Sequence, residues 1–250
     1  MDVIQNMKQY EAVIKAIEEN GGYATLGFLN QSVLKIPNVE WKTKTPFASI
    51  RRIVQDERFF FKIKPGLWAL RSRKNKLPPD IFPTDAVPEK EREVFNHSYY
   101  QGLLVEIGNL KQYETFVPNQ DKNKRFLGKT LSEVSSQTKF YQFGYEHIVR
   151  KAKTVDVCWF NVRKMPHVLF EVEHSTDIQN SLLKFVELQD YNVNFFIVAD
   201  KARKIEYAGK LGLSAFTPIK TRVQFMDYDK LSDWHTKTFE IVSVENNLTF

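Results

Sequence analysis

The chain has 250 residues, of which 42% are hydrophobic and 26% are charged, so it holds enough apolar residues for one large or two small cores. This composition excludes a disordered, collagen-like or low-complexity chain. The formal net charge is +6, and residues 1–75 alone carry that excess, with 13 Lys and Arg against 7 Asp and Glu. Because a positive excess favours polyanionic partners, we expect such contacts in the first third of the chain.

No basic and apolar leader is visible at the N-terminus, and no apolar run approaches the length that spans a membrane. The only cysteine, Cys158, excludes an internal disulfide and any multi-cysteine metal site. Its apolar neighbours predict a strand and a buried structural thiol. We therefore expect a soluble, cytoplasmic protein.

Proline marks one boundary in the chain. Four of the ten prolines fall within Lys76–Glu91, KLPPDIFPTDAVPEKE. Proline fixes φ and biases the preceding residue to extended geometry, so this stretch is typical of a semi-rigid linker. The sequence therefore predicts a basic domain over residues 1–75, a linker over 76–91 and a neutral domain over 92–250.

Three helices followed by a hairpin are predicted for the first domain. Apolar residues recur at helical spacing over residues 10–17. A second helix is predicted for Thr25–Leu34, and a third for Pro46–Asp56, which begins with a hydroxyl residue and a proline. Two apolar-alternating runs flank Pro65-Gly66, which indicates a hairpin.

This order is that of a winged helix, whose third helix enters the DNA major groove. Residues 45–70, TPFASIRRIVQDERFFFKIKPGLWAL, resemble the winged helix-turn-helix modules joined to restriction enzymes and other DNA-processing proteins. The predicted DNA contacts are Ser49, Arg51, Arg52, Gln55, Lys62 and Lys64. Arg51, Arg52 and Gln55 are the best candidates for base edges, and the two lysines for phosphate. The alternative is a winged helix that contacts protein, with these side chains as solvated surface.

Helices and strands alternate in the second domain in the order α-β-β-β-α-β-α-β. Strands are predicted at Tyr113–Val117, Thr154–Phe160, Val168–Val172, Asn194–Val198 and Val223–Met226. Helices are predicted at Tyr99–Leu110, Ser181–Leu188 and Ala202–Leu211. The predicted fold class is therefore α/β (α+β), a mixed sheet flanked by helices behind an N-terminal winged helix.

Three acids stand in the apolar strands of this domain: Asp156, Glu171 and Glu173. Strand side chains alternate, so Glu171 and Glu173 share a face, which Asp156 also reaches if the two strands are neighbours. Converging carboxylates repel one another unless a cation neutralises them, and their oxygens suit Mg²⁺. The alternative is a chance pattern of solvent-facing acids.

The arrangement resembles the PD-(D/E)xK nuclease superfamily, which includes many restriction endonucleases. Val155-Asp156 matches the first motif element and Glu171-Val172-Glu173 the second, with Glu106 in LLVEIGNL as the helical acid. The resemblance implies Mg²⁺-assisted phosphodiester hydrolysis, with Asp156, Glu171 and Glu106 as metal ligands. Glu173 replaces the usual lysine, as in the E-x-E version of some restriction enzymes, and would act as a general base or second-metal ligand.

Several other polar residues have less distinctive surroundings. Asp121, in the polar loop NQDKNKR, is an alternative acid, although a solvated turn also fits it. His174, next to the motif, could contact phosphate, although a packed or exposed histidine also fits the pattern. Lys184 or Gln189, on the following helix, could reach the site, although the sequence does not fix their positions.

Together these features predict a sequence-specific, Mg²⁺-dependent DNA endonuclease of the type II restriction class, acting on double-stranded DNA as a homodimer. A non-catalytic DNA-binding regulator and a modification-dependent nuclease are the alternatives. The division of charge also predicts tighter DNA binding when Mg²⁺ is present, because the second domain is neutral without it.

Overall fold

The computed structural model describes residues 7–84 and 86–245. Helices surround a mixed five-stranded sheet, which confirms the predicted α+β class. The described residues form two compact units: one runs to Thr84 and resumes at Ser232, and the other extends from residue 86 to Leu231. Within these residues, no helix is both long and apolar enough to cross a bilayer.

The first unit contains three helices and a three-stranded sheet. Its elements before Thr84 are α1 (Gln9–Glu19), β1 (Tyr23–Thr25), α2 (Leu26–Ser32), α3 (Pro46–Ile53), β2 (Phe60–Lys64) and β3 (Leu67–Leu70). The three predicted helices are present, and α3 ends three residues before the predicted Asp56. The short strand β1 was not predicted.

The sheet of this unit has the order β1-β3-β2, and both pairs are antiparallel. The hairpin predicted at Pro65-Gly66 joins β2 to β3, and Gly66 has a φ of 75°, a conformation that costs glycine little. Apolar residues of all three helices meet under the sheet, including Val13, Leu29 and Ile50, each fully buried. Burying these side chains is the main force that holds α3 in place.

A long C-terminal helix, which the sequence analysis did not predict, begins in the second unit and continues in the first. In the first unit its Glu240 accepts a hydrogen bond from the buried Asn30 Nδ2 at 3.1 Å. Arg51 Nη2 lies 3.3 Å from the same carboxylate, and Lys237 also pairs with it. These polar contacts attach the C-terminal helix to α2 and α3.

The second unit is built around the five-stranded sheet. Its elements are α4 (Glu89–Leu110), β4 (Glu114–Phe116), β5 (Arg125–Phe126), β6 (Lys129–Thr130), α5 (Leu131–Val134), α6 (Glu146–Ala152), β7 (Val157–Phe160), β8 (Pro166–Glu173), α7 (Ile178–Val186), β9 (Asn194–Ala199), α8 (Lys204–Leu211), β10 (Val223–Asp227) and α9 (Tyr228–Glu245), the C-terminal helix. Every strand and helix predicted for this part of the chain is present, with shifted ends.

The sheet order is β10-β9-β8-β7-β4. Strands β8, β9 and β10 are parallel, whereas β7 and β4 are antiparallel to their neighbours. The apolar strand β9 is an interior strand, and its residues Phe195, Ile197 and Val198 are fully buried, as expected of a strand covered on both faces. The predicted neighbours β7 and β8 are indeed adjacent, which brings their acids together.

Helix α4 is longer than predicted, since it begins at Glu89 and not at Tyr99. It lies directly on the sheet at Gly108, where a Cβ atom would fall 2.5 Å from Thr115 Cγ2. The indole of Trp159 donates to Leu104 O at 3.1 Å and fixes the helix against β7. The additional N-terminal turns place His97 beside the end of β7.

Candidate metal centre and nucleic-acid surface

The three predicted acids lie together at one edge of the sheet. Val157 pairs with Phe170, so Asp156, one residue before β7, lies beside Glu171. Glu173 follows two residues along β8 and faces the same side. All three side chains are buried, with exposures of 8% for Asp156, 2% for Glu171 and 4% for Glu173. The register therefore places three carboxylates in a nearly water-free position.

Hydroxyl and backbone donors hold these carboxylates. Asp156 Oδ2 accepts a hydrogen bond from Val172 N at 2.8 Å. Ser181, on α7, donates to Glu171 Oε2 at 3.1 Å and lies against Glu173 Oε1. The other oxygen of Glu173 accepts from the hydroxyl of Thr176. The acids are thus fixed in orientation before any ligand arrives.

The electrostatic environment shifts the pKa values of the three acids in different directions. Burial raises the pKa of Glu171 well above its usual value, and the neighbouring Asp156 charge adds to the effect. Burial also raises the pKa of Glu173. Burial acts in the same direction on Asp156, but the charge of His97 and its hydrogen bond outweigh it and hold the pKa of Asp156 below its usual value. Asp156 is therefore the most readily ionised of the three.

A lysine from α7 completes the acidic group. Lys184 Nζ lies 2.9 Å from Glu171 Oε1 and 2.8 Å from Oε2, and also donates to Thr154 O at 3.2 Å. The sequence analysis named Lys184 and Gln189 as able to reach the site, and the structure places Lys184 there. Gln189 instead lies near Arg222, and its backbone carbonyl accepts a hydrogen bond from Arg222 Nη2. A helix that follows β8 thus brings a positive charge to the buried Glu171.

A second polar group adjoins Asp156 on the side of α4. His97 Nε2 lies 3.5 Å from Asp156 Oδ2, and Gln101 Nε2 donates to Asp156 O at 3.1 Å and to Asp121 Oδ2 at 2.7 Å. Asp121, considered from sequence a solvated loop residue, is 2% exposed. Sequence reasoning missed His97 and Gln101, whose spacing of four places them on one helical face.

The predicted helical acid does not share that face. Glu106 is half-buried and follows His97 by nine residues, about 180° around a helix of 3.6 residues per turn. The structure thus places Glu106 on the other side of α4 from the residues that meet Asp156. His174, next to Glu173, lies with Nδ1 3.5 Å from the hydroxyl of Tyr228.

The predicted DNA contacts lie on α3 and β2 of the first unit, except Gln55, which lies in the turn after α3. A surface groove is lined by part of this set together with residues of α1: Gln9, Tyr10, Ser49, Arg52, Ile53, Gln55 and Asp56. Arg51 points elsewhere, into its ion pair with Glu240. On β2, Lys62 is exposed, while burial lowers the pKa of Lys64 to about 8. Arg52 on α3 and Gln55, in the turn after the helix, are thus the exposed members of the predicted set in this region.

Comparison with protein families finds one match over residues 76–247, to the family described as the type II restriction enzyme NmeDI C-terminal domain. The match covers about two thirds of the chain and includes Asp156, Glu171, Glu173 and Lys184. No curated protein and no solved structure matches the chain significantly.

Proposed function

The chain belongs to the family of type II restriction enzyme NmeDI C-terminal domains, and from this premise we propose that it is a sequence-specific, Mg²⁺-dependent endonuclease of double-stranded DNA. The observation that carries the proposal is the buried group of Asp156, Glu171 and Glu173 with Lys184. Such a group is costly for folding unless cations or hydrogen bonds compensate it, because buried carboxylates lose their hydration.

The residues present fit a divalent cation. Asp156 and Glu171 would hold it, since the strand register places the two residues side by side and carboxylate oxygens suit Mg²⁺, which usually takes one or two protein carboxylates. When bound, Mg²⁺ would lower the pKa of a coordinated water and stabilise the charge that develops on the phosphate. Burial raises the pKa of Glu171, and a cation bound beside the carboxylate would offset that cost.

Lys184 would supply the positive charge that the lysine of the PD-(D/E)xK motif usually provides, a position held here by Glu173 on β8. Its ammonium compensates Glu171 and brings a positive charge to the place that the scissile phosphate would occupy. Glu173 would act as a proton acceptor. Burial raises its pKa, which makes its carboxylate a stronger base than an exposed glutamate, and two hydroxyl donors keep it oriented.

The first unit would act as a winged-helix DNA-binding domain. Its three helices, its three-stranded antiparallel sheet and its positive charge support this assignment. Ser49, Arg52 and Gln55 would face the bases, and Lys62 and Lys64 would contact phosphate. Arg51 would join them only after leaving Glu240. Two chains would act together, because a palindromic target requires two equivalent cuts.

Digestion of phage DNA by the purified chain tests this proposal. With Mg²⁺ we expect discrete fragments with uniform ends, and with a chelator none. Glu171→Gln should abolish cleavage while retaining DNA binding in a gel-shift assay. Glu187→Gln, an exposed glutamate at the end of α7, is the matched control and should cleave normally.

Two outcomes would support the alternative functions. If the wild type and Glu171→Gln both retard DNA and neither cuts modified or unmodified substrate, the chain is a non-catalytic DNA-binding protein. If only methylated DNA is cut, it is a modification-dependent nuclease.

A further inference from the structure

The group beside α4 has the composition of a second metal site. One ligand atom each from His97, Asp121 and Asp156 lie within 4.8 Å of one another. Both aspartates are buried, and the side chain of His97 is 21% exposed. Lys124 Nζ, 2.6 Å from Asp121 Oδ1, neutralises part of this group. A nitrogen and several oxygens therefore converge on a space that water scarcely reaches.

Gln101 provides an independent sign that this space is built for a ligand. Its side chain is fully buried, and Nε2 donates to Asp121 Oδ2 and to Asp156 O. Its Oε1 atom is buried and accepts no hydrogen bond from the described part of the chain, which is costly for an amide oxygen. Rotation of the amide by about 180° would turn Oε1 towards Asp121, but it would break both hydrogen bonds that Nε2 now donates. A cation bound between Oε1 and Asp121 would offset that loss and also pair the buried Oε1 atom.

We propose that His97, Asp121, Asp156 and Gln101 Oε1 form a second cation site that takes a transition metal such as Mn²⁺ or Zn²⁺ in preference to Mg²⁺. A neutral imidazole nitrogen suits transition metals, whereas Mg²⁺ takes oxygen ligands and retains its waters. Metal binding at His97 would therefore displace the proton that the imidazole shares with Asp156. The inference rests on the proposed function in one respect, because Asp156 would be shared with the ion held by Glu171. Lys124 competes with this second ion for Asp121.

Titration of the full chain with Mn²⁺, followed by electron paramagnetic resonance without DNA, tests the second site. We expect two bound ions per chain, of which Mg²⁺ displaces only one. The retained ion should show nitrogen hyperfine coupling in pulsed spectra, since imidazole is its ligand. In His97→Gln this coupling should disappear and affinity at that site should fall at least about tenfold, the scale seen when metal ligation is disturbed. His147→Gln, an exposed histidine on α6, is the matched control.

A second pair of variants keeps the test decisive. Lys124→Met should tighten the histidine site, because it removes the competing ammonium from Asp121. Glu171→Gln should weaken only the ion that Mg²⁺ displaces. Unchanged nitrogen coupling and stoichiometry in a folded His97→Gln protein would overturn the second site and leave the proposed function intact. Loss of neither ion in Glu171→Gln would instead contradict the proposed catalytic site.

Discussion

The pair formed by Lys184 and Glu171 gives the sharpest prediction. Lys184→Met removes the ammonium and leaves Glu171, whose side chain is 3% exposed, without its main compensating charge. Breaking a fully buried ion pair costs about 3–5 kcal/mol, and breaking an exposed one at most about 1 kcal/mol. Lys184 is 28% exposed, and Glu171 can take up a proton, so we expect an intermediate loss of about 2 kcal/mol in the free energy of unfolding at neutral pH.

The pH dependence of this loss has a definite sign. A carboxyl group with a raised pKa destabilises the fold where it is ionised, and protonation relieves that cost. Burial raises the pKa of Glu171 even with the lysine present, and removal of the lysine raises it further. The deficit of Lys184→Met should therefore be largest at neutral pH and shrink as the pH falls through the raised pKa. Saturating Mg²⁺ should also shrink it, because the ion would replace the lost positive charge.

Thermal unfolding and cleavage kinetics measure both effects. We expect Tm to fall by about 4–8 °C for a loss near 2 kcal/mol in a chain of this size, and kcat to fall by about 100-fold or more. Lys184→Arg should retain part of each, and Lys220→Met, at an exposed lysine, should change neither. If Lys184→Met unfolds and cuts DNA as Lys220→Met does, the lysine contributes neither to the fold nor to the chemistry, and the reasoning fails.

Three further predictions concern the two units. Burial lowers the pKa of Lys64 to about 8, so DNA affinity should fall between roughly pH 7 and 9 as the ammonium loses its proton; Lys64→Arg should remove this dependence in a gel-shift titration. Gly102→Ala would put a Cβ 2.1 Å from the ring of Phe126, so chemical denaturation should show a loss of about 1–3 kcal/mol in the free energy of unfolding. Gly209→Ala, at a position with open space around it, is the control and should be neutral or stabilising. Arg52→Ala should weaken binding to the specific site by about 1–3 kcal/mol and bring it closer to non-specific binding; an equal loss on all sequences would mark a phosphate contact instead.

Local patterns were enough to predict the fold class and the convergence of the acids. The alternation of side chains in β8 dictates that Glu171 and Glu173 share a face. The pairing of β7 with β8 then brings Asp156 beside them, as consecutive strands usually pair. These inferences need only the period of a strand and the adjacency of neighbouring strands, which a single sequence contains.

The rest of the site depends on distances that the sequence does not encode locally. The first turns of α4 are polar and charged and lack an apolar period, so the sequence analysis began the helix at Tyr99 and missed His97. Asp121 lies in a polar loop, and only the tertiary fold buries it against Gln101. The C-terminal helix was missed for a similar reason. Its attachment through Glu240 is a contact between residues about 200 positions apart in the chain.

Lys184 places a positive charge beside Glu171 from a helix that follows the strand in the chain. If the proposed chemistry requires a charge at that point, α7 can supply it as well as β8 could. One ammonium does not neutralise three buried carboxylates, however, even with His97 beside Asp156. Burial raises the pKa of Glu171 well above its usual value, so a cation bound beside it would lower that pKa and favour the ionised form. Protonation and cation binding are thus alternative ways to reduce the cost of this buried charge, and the proposed metal would compete with the proton.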